Sequence, residues 1–282
     1  MAEKLALEGG PKAVTVELED RWQVASDREK QYVEAVLDDM SRAYSQLEIF
    51  EEEYRRFAGT KYALVMCNGT ATLHSAIFAA GAHQGTEVIV PSVTWHASIT
   101  PILHCGATPV FCDADPETYC ADPEDVARRI TDHTVAIVVT HVYGNPAQMD
   151  AFQELVRGTK IRLIEDASHA HGATYDGVAV GALGDVGCFS LQASKAVTGI
   201  EAGVATTNDD ELYDAMVALG HYGRSERLYR TERFRPLRNM GLGIKYRANP
   251  LAVAMARAQL ERLPELNAKR AAWFSKLDSL ME

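Results

Sequence analysis

Residues 184–203, GDVGCFSLQASKAVTGIEAG, decide how the fold is interpreted, because they set one lysine between a short apolar strand and a glycine-containing turn. Residues 186–190 have the small and apolar composition of a buried strand, and Lys195 follows five residues after Ser190. A lysine in an apolar pocket has a lowered pKa, so its free amine becomes a nucleophile suited to Schiff-base formation with a carbonyl. The alternative is an ordinary surface lysine whose stem lies along the sheet.

Strand and helix patterns alternate through most of the chain. Strands are predicted over residues 61–67, 87–90, 108–112, 135–139, 161–165, 186–190 and 203–207, with helices between most of them. Uninterrupted apolar runs such as residues 135–139 (VAIVV) are typical of strands that are covered on both faces. The sequence therefore predicts an α/β fold with a mostly parallel sheet sandwiched by helices, whose ligands bind where strands end.

Composition excludes several classes of partner. The formal net charge is −11, from 28 basic and 39 acidic residues, and no basic run is present, so nucleic acid and anionic membranes are poor candidates. Five cysteines without a CxxC pair favour a reduced, cytoplasmic protein. No apolar run reaches the length that crosses a membrane. His169 and His171 lack the further ligands of a zinc site, so no metal is predicted.

Three strand ends carry candidate binding residues. Gly69 and Thr70 open a helix, where an anion such as phosphate is favoured, although a plain helix cap is the alternative. Trp95 is suited to stack on an aromatic ligand, or else packs in the core. Asp166 closes the strand IRLIED and is suited to bond a protonated ring nitrogen, or else caps a helix.

Together these residues indicate pyridoxal phosphate (PLP) as the cofactor. PLP needs a lysine for its aldehyde, a carboxylate for its ring nitrogen, a stacking side chain and an anion cradle. The residues that meet these four needs are Lys195, Asp166, Trp95, and Gly69 and Thr70 with Ser190. The glycines at 181, 184 and 187 precede a strand rather than follow one, so a dinucleotide cofactor is not predicted.

The chain also resembles a known family. The runs NGTATLHSAIFAAG (68–81), TEVIVPSVTWHAS (86–98), GATPVFCDADPETYCADPE (106–124) and EDASHAHGATYDGVAVGALGDVGCFSLQASK (165–195) are similar to DegT/StrS sugar aminotransferases across residues 6–275. The form SLQASK is most similar to the branch that acts on scyllo-inosose-type cyclitols. The resemblance implies a fold-type-I PLP enzyme with a seven-stranded type of sheet. It further implies a homodimer that shares its active sites, a glutamine or glutamate donor, and a keto-sugar, nucleotide-linked keto-sugar or keto-cyclitol acceptor.

The resemblance also implies residue roles. Lys195 is the Schiff-base lysine, Asp166 pairs the ring nitrogen, and Trp95 stacks on the ring. His169 lies near the ring hydroxyl, and the phosphate is held by Gly69, Thr70 and Ser190. Related dehydratases carry histidine at the lysine position, so Lys195 favours transamination over a dehydratase or lyase.

Two departures from the family pattern fall near the site. The family's Glu-Gly-Gly is Glu-Ala-Gly at residues 201–203, and Lys245 stands where the family has an asparagine that reaches the partner subunit's phosphate. Lys245 is expected to serve the same phosphate as a point charge.

Three parts are predicted along the chain: an N-terminal arm (1–26), a PLP-binding large domain (27–248), and a linking helix with the start of a truncated small domain (249–282). The helix is expected over residues 250–263, and an arginine-rich stretch at 221–239 is expected to be a mobile loop. Because family members continue further, a catalytically impaired paralogue or a partner-dependent subunit is the alternative function.

Overall fold

The computed structural model describes residues 4–12, 14–15, 25–221, 229–237 and 243–281. Its main sheet has seven strands: β1 (Tyr62–Met66), β2 (Glu87–Pro91), β3 (Thr108–Cys112), β4 (Thr134–Thr140), β5 (Arg162–Asp166), β8 (Val186–Ser190) and β9 (Gly203–Thr207). The strand order is β1-β9-β8-β5-β4-β2-β3, and β6 (Thr174–Tyr175) pairs with β7 (Val178–Ala179) separately. Only β9 runs antiparallel to its neighbours in the main sheet. The predicted α/β class and mostly parallel sheet are confirmed.

Helices cover both faces of this sheet. They are α1 (Asp27–Asp38), α2 (Ser45–Ala58), α3 (Gly69–Ala79), α4 (Thr100–His104), α5 (Pro123–Arg129), α6 (Met149–Val156), α7 (Asp210–Gly220) and α8 (Pro250–Met281). Several begin at a polar residue whose side chain accepts a hydrogen bond from the first turn, as Asn68 does from Ala71 and Asp122 from Glu124. Such caps satisfy N–H groups of the first turn that have no partner within the helix.

Alternating strand residues divide the core between the two faces. Leu64 and Met66 of β1 pack in one cluster with residues of α3 and α7. Ala63 and Val65 pack in a second cluster with residues of α2 and α8, on the other face. This alternation is the two-residue period of a strand that is buried on both sides.

Helix α8 is longer than the sequence predicted. The expected helix ended at residue 263, directly before Pro264, but the helix continues through that proline to Met281. Residues after Pro264 are mostly good helix formers, which offset the one backbone hydrogen bond that a proline removes. The first half of α8 is buried against α1 and α2, and Arg257 there forms two hydrogen bonds with Glu53, of 2.9 and 2.7 Å.

The division into arm, large domain and C-terminal region stays a prediction. Parts of the predicted arm (1–3, 13 and 16–24) and of the predicted loop (222–228 and 238–239) lie outside the described residues. Within the described part of the chain, no helix combines the length and apolar character needed to cross a membrane.

Candidate active site

The candidate site lies at the edge of the sheet where the parallel strands finish. Strands β1, β4, β5 and β8 end there, and antiparallel β9 begins there at Gly203. The strand pairing sets Asp166 of β5 opposite Thr140 of β4 on one side and Cys188 of β8 on the other. Residues that are far apart in sequence thus meet at one edge, as the fold class leads one to expect.

Lys195 lies half-buried in the turn that follows β8. Its backbone N–H donates to the carbonyl of Gln192 at 2.9 Å, so the chain folds back immediately before the lysine side chain projects. Burial lowers the pKa of the Lys195 amine, and the negative charge of Asp166 opposes that shift in part. The amine of Lys195 therefore lies within electrostatic reach of the Asp166 carboxylate, and it is more easily deprotonated than an ordinary lysine.

Asp166 is the last residue of β5 and is only 5% exposed. Its Oδ2 accepts a hydrogen bond from Ser98 Oγ at 2.6 Å, and its Oδ1 accepts one from the Ser168 N–H at 3.2 Å. The second bond closes a turn after β5. Residues 167–173 form no helix, so the helix-cap role that the sequence offered as an alternative is not the one observed. A carboxylate with four lone-pair positions and two donors has capacity left for a further donor.

Gly69, Thr70 and Ser190 are brought together at the N-terminus of α3. A Cβ at Gly69 would lie 2.7 Å from Ser190 Cβ, so only glycine allows this close approach. A Cβ at Gly203 would lie 2.4 Å from the Asn68 carbonyl oxygen, so β9 begins directly against the same turn. The first N–H groups of α3 point out of the helix here, as the donors of an anion site do.

Trp95 and His169 flank this edge with exposed rings. Trp95 is 67% exposed and lies against His96, with ring centroids 4.5 Å apart. Loss of hydration and the charge of Lys195 lower the pKa of His169, while Asp166 opposes the shift. His169 therefore belongs to the same electrostatic cluster as the lysine and the aspartate.

Lys245 lies outside that cluster. Lys245 is exposed. The residues on either side of it are hydrogen-bonded to the end of α7, where Ile244 N–H donates to the Leu219 carbonyl and Tyr246 N–H donates to the Gly220 carbonyl. The segment continues to Arg247, which bridges to Met66 at the end of β1. Lys245 is thus held near the ligand edge of the sheet, with its side chain exposed.

His171 is a structural residue beside the site. Its Nε2 lies 2.9 Å from the carbonyl of Ser190, which can only accept, so Nε2 carries the proton. Its Nδ1 then accepts from the hydroxyl of Tyr54 at 3.0 Å. Burial lowers the pKa of His171 to about 4, so the ring is neutral near pH 7 and anchors Ser190 to α2.

The sequence did not identify several residues that shape the site. Ser98, which donates to Asp166, and Thr140, opposite it at the end of β4, are polar residues at the ligand edge. The strand-end rule that selected Asp166 would also have selected Thr140. Tyr143 gives a weaker signal: it is 88% exposed, has a left-handed backbone (φ 54°), and stacks within 3° of parallel on His169. Among the described residues, no group of three or more His, Cys, Asp or Glu residues is arranged to bind a metal.

Comparison with known proteins agrees with this arrangement. GDP-perosamine synthase of Escherichia coli O157:H7 is 34% identical over 245 residues, which cover 86% of this chain and 65% of that protein. L-glutamine:2-deoxy-scyllo-inosose aminotransferase of Streptomyces lividus is 41% identical over 217 residues, which cover 74% of this chain and 51% of that protein. The X-ray structure of the aminotransferase from Psychrobacter cryohalolentis superimposes with a TM-score of 0.82 at 35% identity, and the match covers 90% of this chain and 66% of that one.

This chain spans about half to two thirds of the length of these proteins. A model of the DegT/DnrJ/EryC1/StrS aminotransferase family matches residues 23–282, which is most of the sequence. The resemblance stated from the sequence motifs is therefore confirmed. This chain belongs to the DegT/DnrJ/EryC1/StrS aminotransferase family.

Proposed function

We propose that this protein is a PLP-dependent aminotransferase that moves an amino group onto a ring ketone. The observation that carries the proposal is that half-buried Lys195, in the turn after β8, and buried Asp166, at the end of the neighbouring β5, lie at the same ligand edge of the sheet. An amine with a lowered pKa and an aspartate with unused acceptor capacity are the two groups that hold opposite ends of a pyridoxal ring. Solved structures that this chain resembles include ones with PLP adducts, which supports the same cofactor.

Each group of the cofactor has a candidate partner among the described residues. Lys195 would hold the aldehyde carbon, and Asp166 would accept the ring N–H with the oxygen capacity that Ser98 and Ser168 leave. Gly69, Thr70 and Ser190 would hold the phosphate, and the missing side chain at Gly69 is what allows Ser190 to lie so close to the start of α3. Trp95 would cover one face of the ring, and His169 would lie near the ring hydroxyl.

The chemistry divides between cofactor and protein. PLP, when bound, supplies an aldehyde that carries the amino group and a protonated ring that withdraws electrons. Lys195, as a free amine, would move the proton at the carbon that bears the migrating nitrogen. Asp166 would accept the ring N–H and so favour the protonated ring. Over the whole cycle the donor amine and the acceptor carbonyl oxygen exchange places, so no external oxidant is needed.

The names of relatives support the substrate classes. Several are aminotransferases that take L-glutamine and a scyllo-inosose, and another makes a GDP-linked amino sugar. We infer L-glutamine as donor, with a keto-cyclitol or a nucleotide-linked keto-sugar as acceptor. Lysine at position 195 favours amino transfer over dehydration, because the related dehydratases carry histidine there.

A homodimer with shared sites is part of the proposal. Lys245 is exposed near the same sheet edge, two residues before Arg247, which bridges to Met66 at the end of β1. It is therefore suited to bind the phosphate in a partner subunit's site, as a point charge in place of the family's asparagine.

The test is amino transfer by the purified chain with PLP, L-glutamine labelled with ¹⁵N at its α-amine, and two acceptors. These are 2-deoxy-scyllo-inosose and GDP-4-keto-6-deoxymannose. We expect glutamine alone to convert the bound cofactor to pyridoxamine phosphate, and the label to appear in one of the two acceptors by mass spectrometry.

Two results would count against the proposal in different ways. If glutamine converts the cofactor but neither acceptor gains the label, the proposed acceptors are refuted, whereas the reaction with the glutamine donor still stands. Bound PLP that glutamine does not convert would refute the aminotransferase and support the catalytically impaired alternative. Lys195→Ala serves as the blank, since it removes the only amine assigned to the proton transfer.

A further inference from the structure

Three hydroxyl groups form a chain that ends on Asp166. Ser98 Oγ lies 2.6 Å from Asp166 Oδ2, Thr94 Oγ1 lies 2.9 Å from Ser98 Oγ, and Thr140 Oγ1 lies 2.9 Å from Thr94 Oγ1. The chain joins the end of β4, the loop after β2 and the end of β5. Ser98 is fully buried, and Thr140 is 7% exposed.

The direction of these hydrogen bonds follows from chemistry. An ionised carboxylate can only accept, so the Ser98 proton points at Asp166. Ser98 Oγ then accepts from Thr94, and Thr94 Oγ1 accepts from Thr140, because each hydroxyl has one proton to give. All three dipoles therefore point toward the carboxylate, and hydrogen bonds aligned in this way polarise and strengthen one another.

The same chain fixes the stacking residue. Trp95 lies between Thr94 and Ser98 in sequence, and its carbonyl accepts from the Ser98 N–H at 2.9 Å. An exposed tryptophan ring has little packing of its own to orient it. The backbone of Trp95 is thus held by Thr94, which directly precedes it, and by the hydrogen bond from Ser98, and both residues belong to the hydroxyl chain that ends on Asp166.

We infer that Thr140, Thr94 and Ser98 act as one positioning unit, which aims the Asp166 carboxylate at the cofactor ring nitrogen and holds Trp95 over the ring. The inference rests on the proposed function and adds three residues that do not themselves contact the reacting atoms. It distinguishes these hydroxyls from ordinary buried hydroxyls, whose loss lowers stability alone.

The experiment measures PLP affinity and the pH dependence of the absorbance of bound PLP, alongside Tm. Thr94→Val and Thr140→Val keep the shape and remove the hydroxyl, while Thr94→Ser and Thr140→Ser keep the hydroxyl. Ser98→Ala removes the direct donor. Thr207→Val is the matched control, because this buried threonine donates to the Asp185 carbonyl at 2.7 Å at the opposite end of the sheet.

We expect Ser98→Ala to weaken PLP binding about 10-fold, which corresponds to ~1.4 kcal/mol, and to shift the absorbance midpoint in pH. Thr94→Val should weaken binding about 3-fold and Thr140→Val less, since each step along the chain transmits part of the polarisation. The serine variants should bind as the unchanged protein does. In an Asp166→Asn background, Ser98→Ala should weaken binding less than it does in the unchanged protein, because the part of its effect that passes through the Asp166 charge is already lost.

Four results would overturn the inference. One is a Ser98→Ala variant that, like Thr207→Val, loses Tm but keeps the PLP affinity and the absorbance profile. Another is a Ser98→Ala effect of undiminished size in the Asp166→Asn background. Failure of the unchanged protein to bind PLP would overturn both this inference and the proposed function, whereas amino transfer with unaffected hydroxyl variants would overturn this inference alone.

Discussion

Glu165 and Asp166 are consecutive, buried carboxylates in β5, and they differ in how fully the protein satisfies them. Glu165 accepts hydrogen bonds from the N–H groups of Gly181, Leu183 and Gly184, at 2.7, 2.9 and 2.6 Å. A fourth comes from His141 Nε2 at 3.0 Å. Asp166 accepts from Ser98 and Ser168 only, among the described residues.

The difference separates a structural acid from a candidate functional one. Glu165 is fully buried, and each of its two carboxylate oxygens accepts two hydrogen bonds. It therefore holds the loop before β8 in place and has no acceptor capacity left for a ligand. The imidazole of His141 accepts the Ala147 N–H at Nδ1, so it donates from Nε2 as a neutral ring. Asp166, one residue further, lies at the sheet edge within reach of the Lys195 charge. Successive side chains of a strand point to opposite faces, which explains the contrast.

The first prediction removes the charge of Asp166. We expect Asp166→Asn to lower the rate of amino transfer by about 10²–10³-fold, because a neutral amide cannot keep the ring nitrogen protonated. Tm should change little, since the amide oxygen can accept the Ser168 N–H while the amide N–H₂ donates to Ser98 Oγ, and a hydroxyl can accept as well as donate. The rate is measured by single-turnover kinetics and Tm by calorimetry. A loss of activity that is explained by a large fall in Tm would contradict the functional assignment.

The second prediction makes the matching change at Glu165. In Glu165→Gln an amide N–H₂ must face backbone N–H donors, which leaves buried groups unpaired and costs about 3 kcal/mol. We expect Tm to fall by roughly 5–10 °C, while the rate per folded molecule stays within about 3-fold. A large loss of rate with an unchanged Tm would show that Glu165 has a functional role and would contradict its assignment as a structural acid.

The third prediction concerns His171, the buried neutral ring beside the site. The pKa of His171 is lowered to about 4 in the folded protein, whereas an exposed histidine titrates near 6.5. Between these values the unfolded chain binds a proton that the folded chain does not, so stability falls as pH drops from about 6.5 to 4, by up to ~3 kcal/mol.

Urea unfolding at a series of pH values measures that loss. His171→Gln keeps an N–H for the Ser190 carbonyl and has nothing to titrate in this window, so its pH dependence should be flatter than that of the unchanged protein. Parallel curves for the two proteins would show that His171 does not cause the loss.

The sequence predicted the sheet and most candidate residues for a physical reason. Apolar runs mark buried strands. Asp166 closes one such run and Lys195 lies five residues after another, so local patterns were sufficient to select both as candidates. The hydroxyl chain was missed because Ser98 and Asp166 are 68 residues apart, and only the pairing of folded strands brings them together. Glu165 was assigned only to a strand, since its partners lie in the loop at 181–184. The end of α8 was misplaced because a proline commonly ends a helix, but this one does not.

The central claim is that Lys195 and Asp166 hold opposite ends of one cofactor. The most direct measurement is borohydride reduction of the PLP-loaded protein, followed by peptide mapping with mass spectrometry. We predict a single pyridoxyl group on Lys195, with the label absent in Lys195→Ala. A label on another lysine, or equal labelling of both proteins, would contradict the claim.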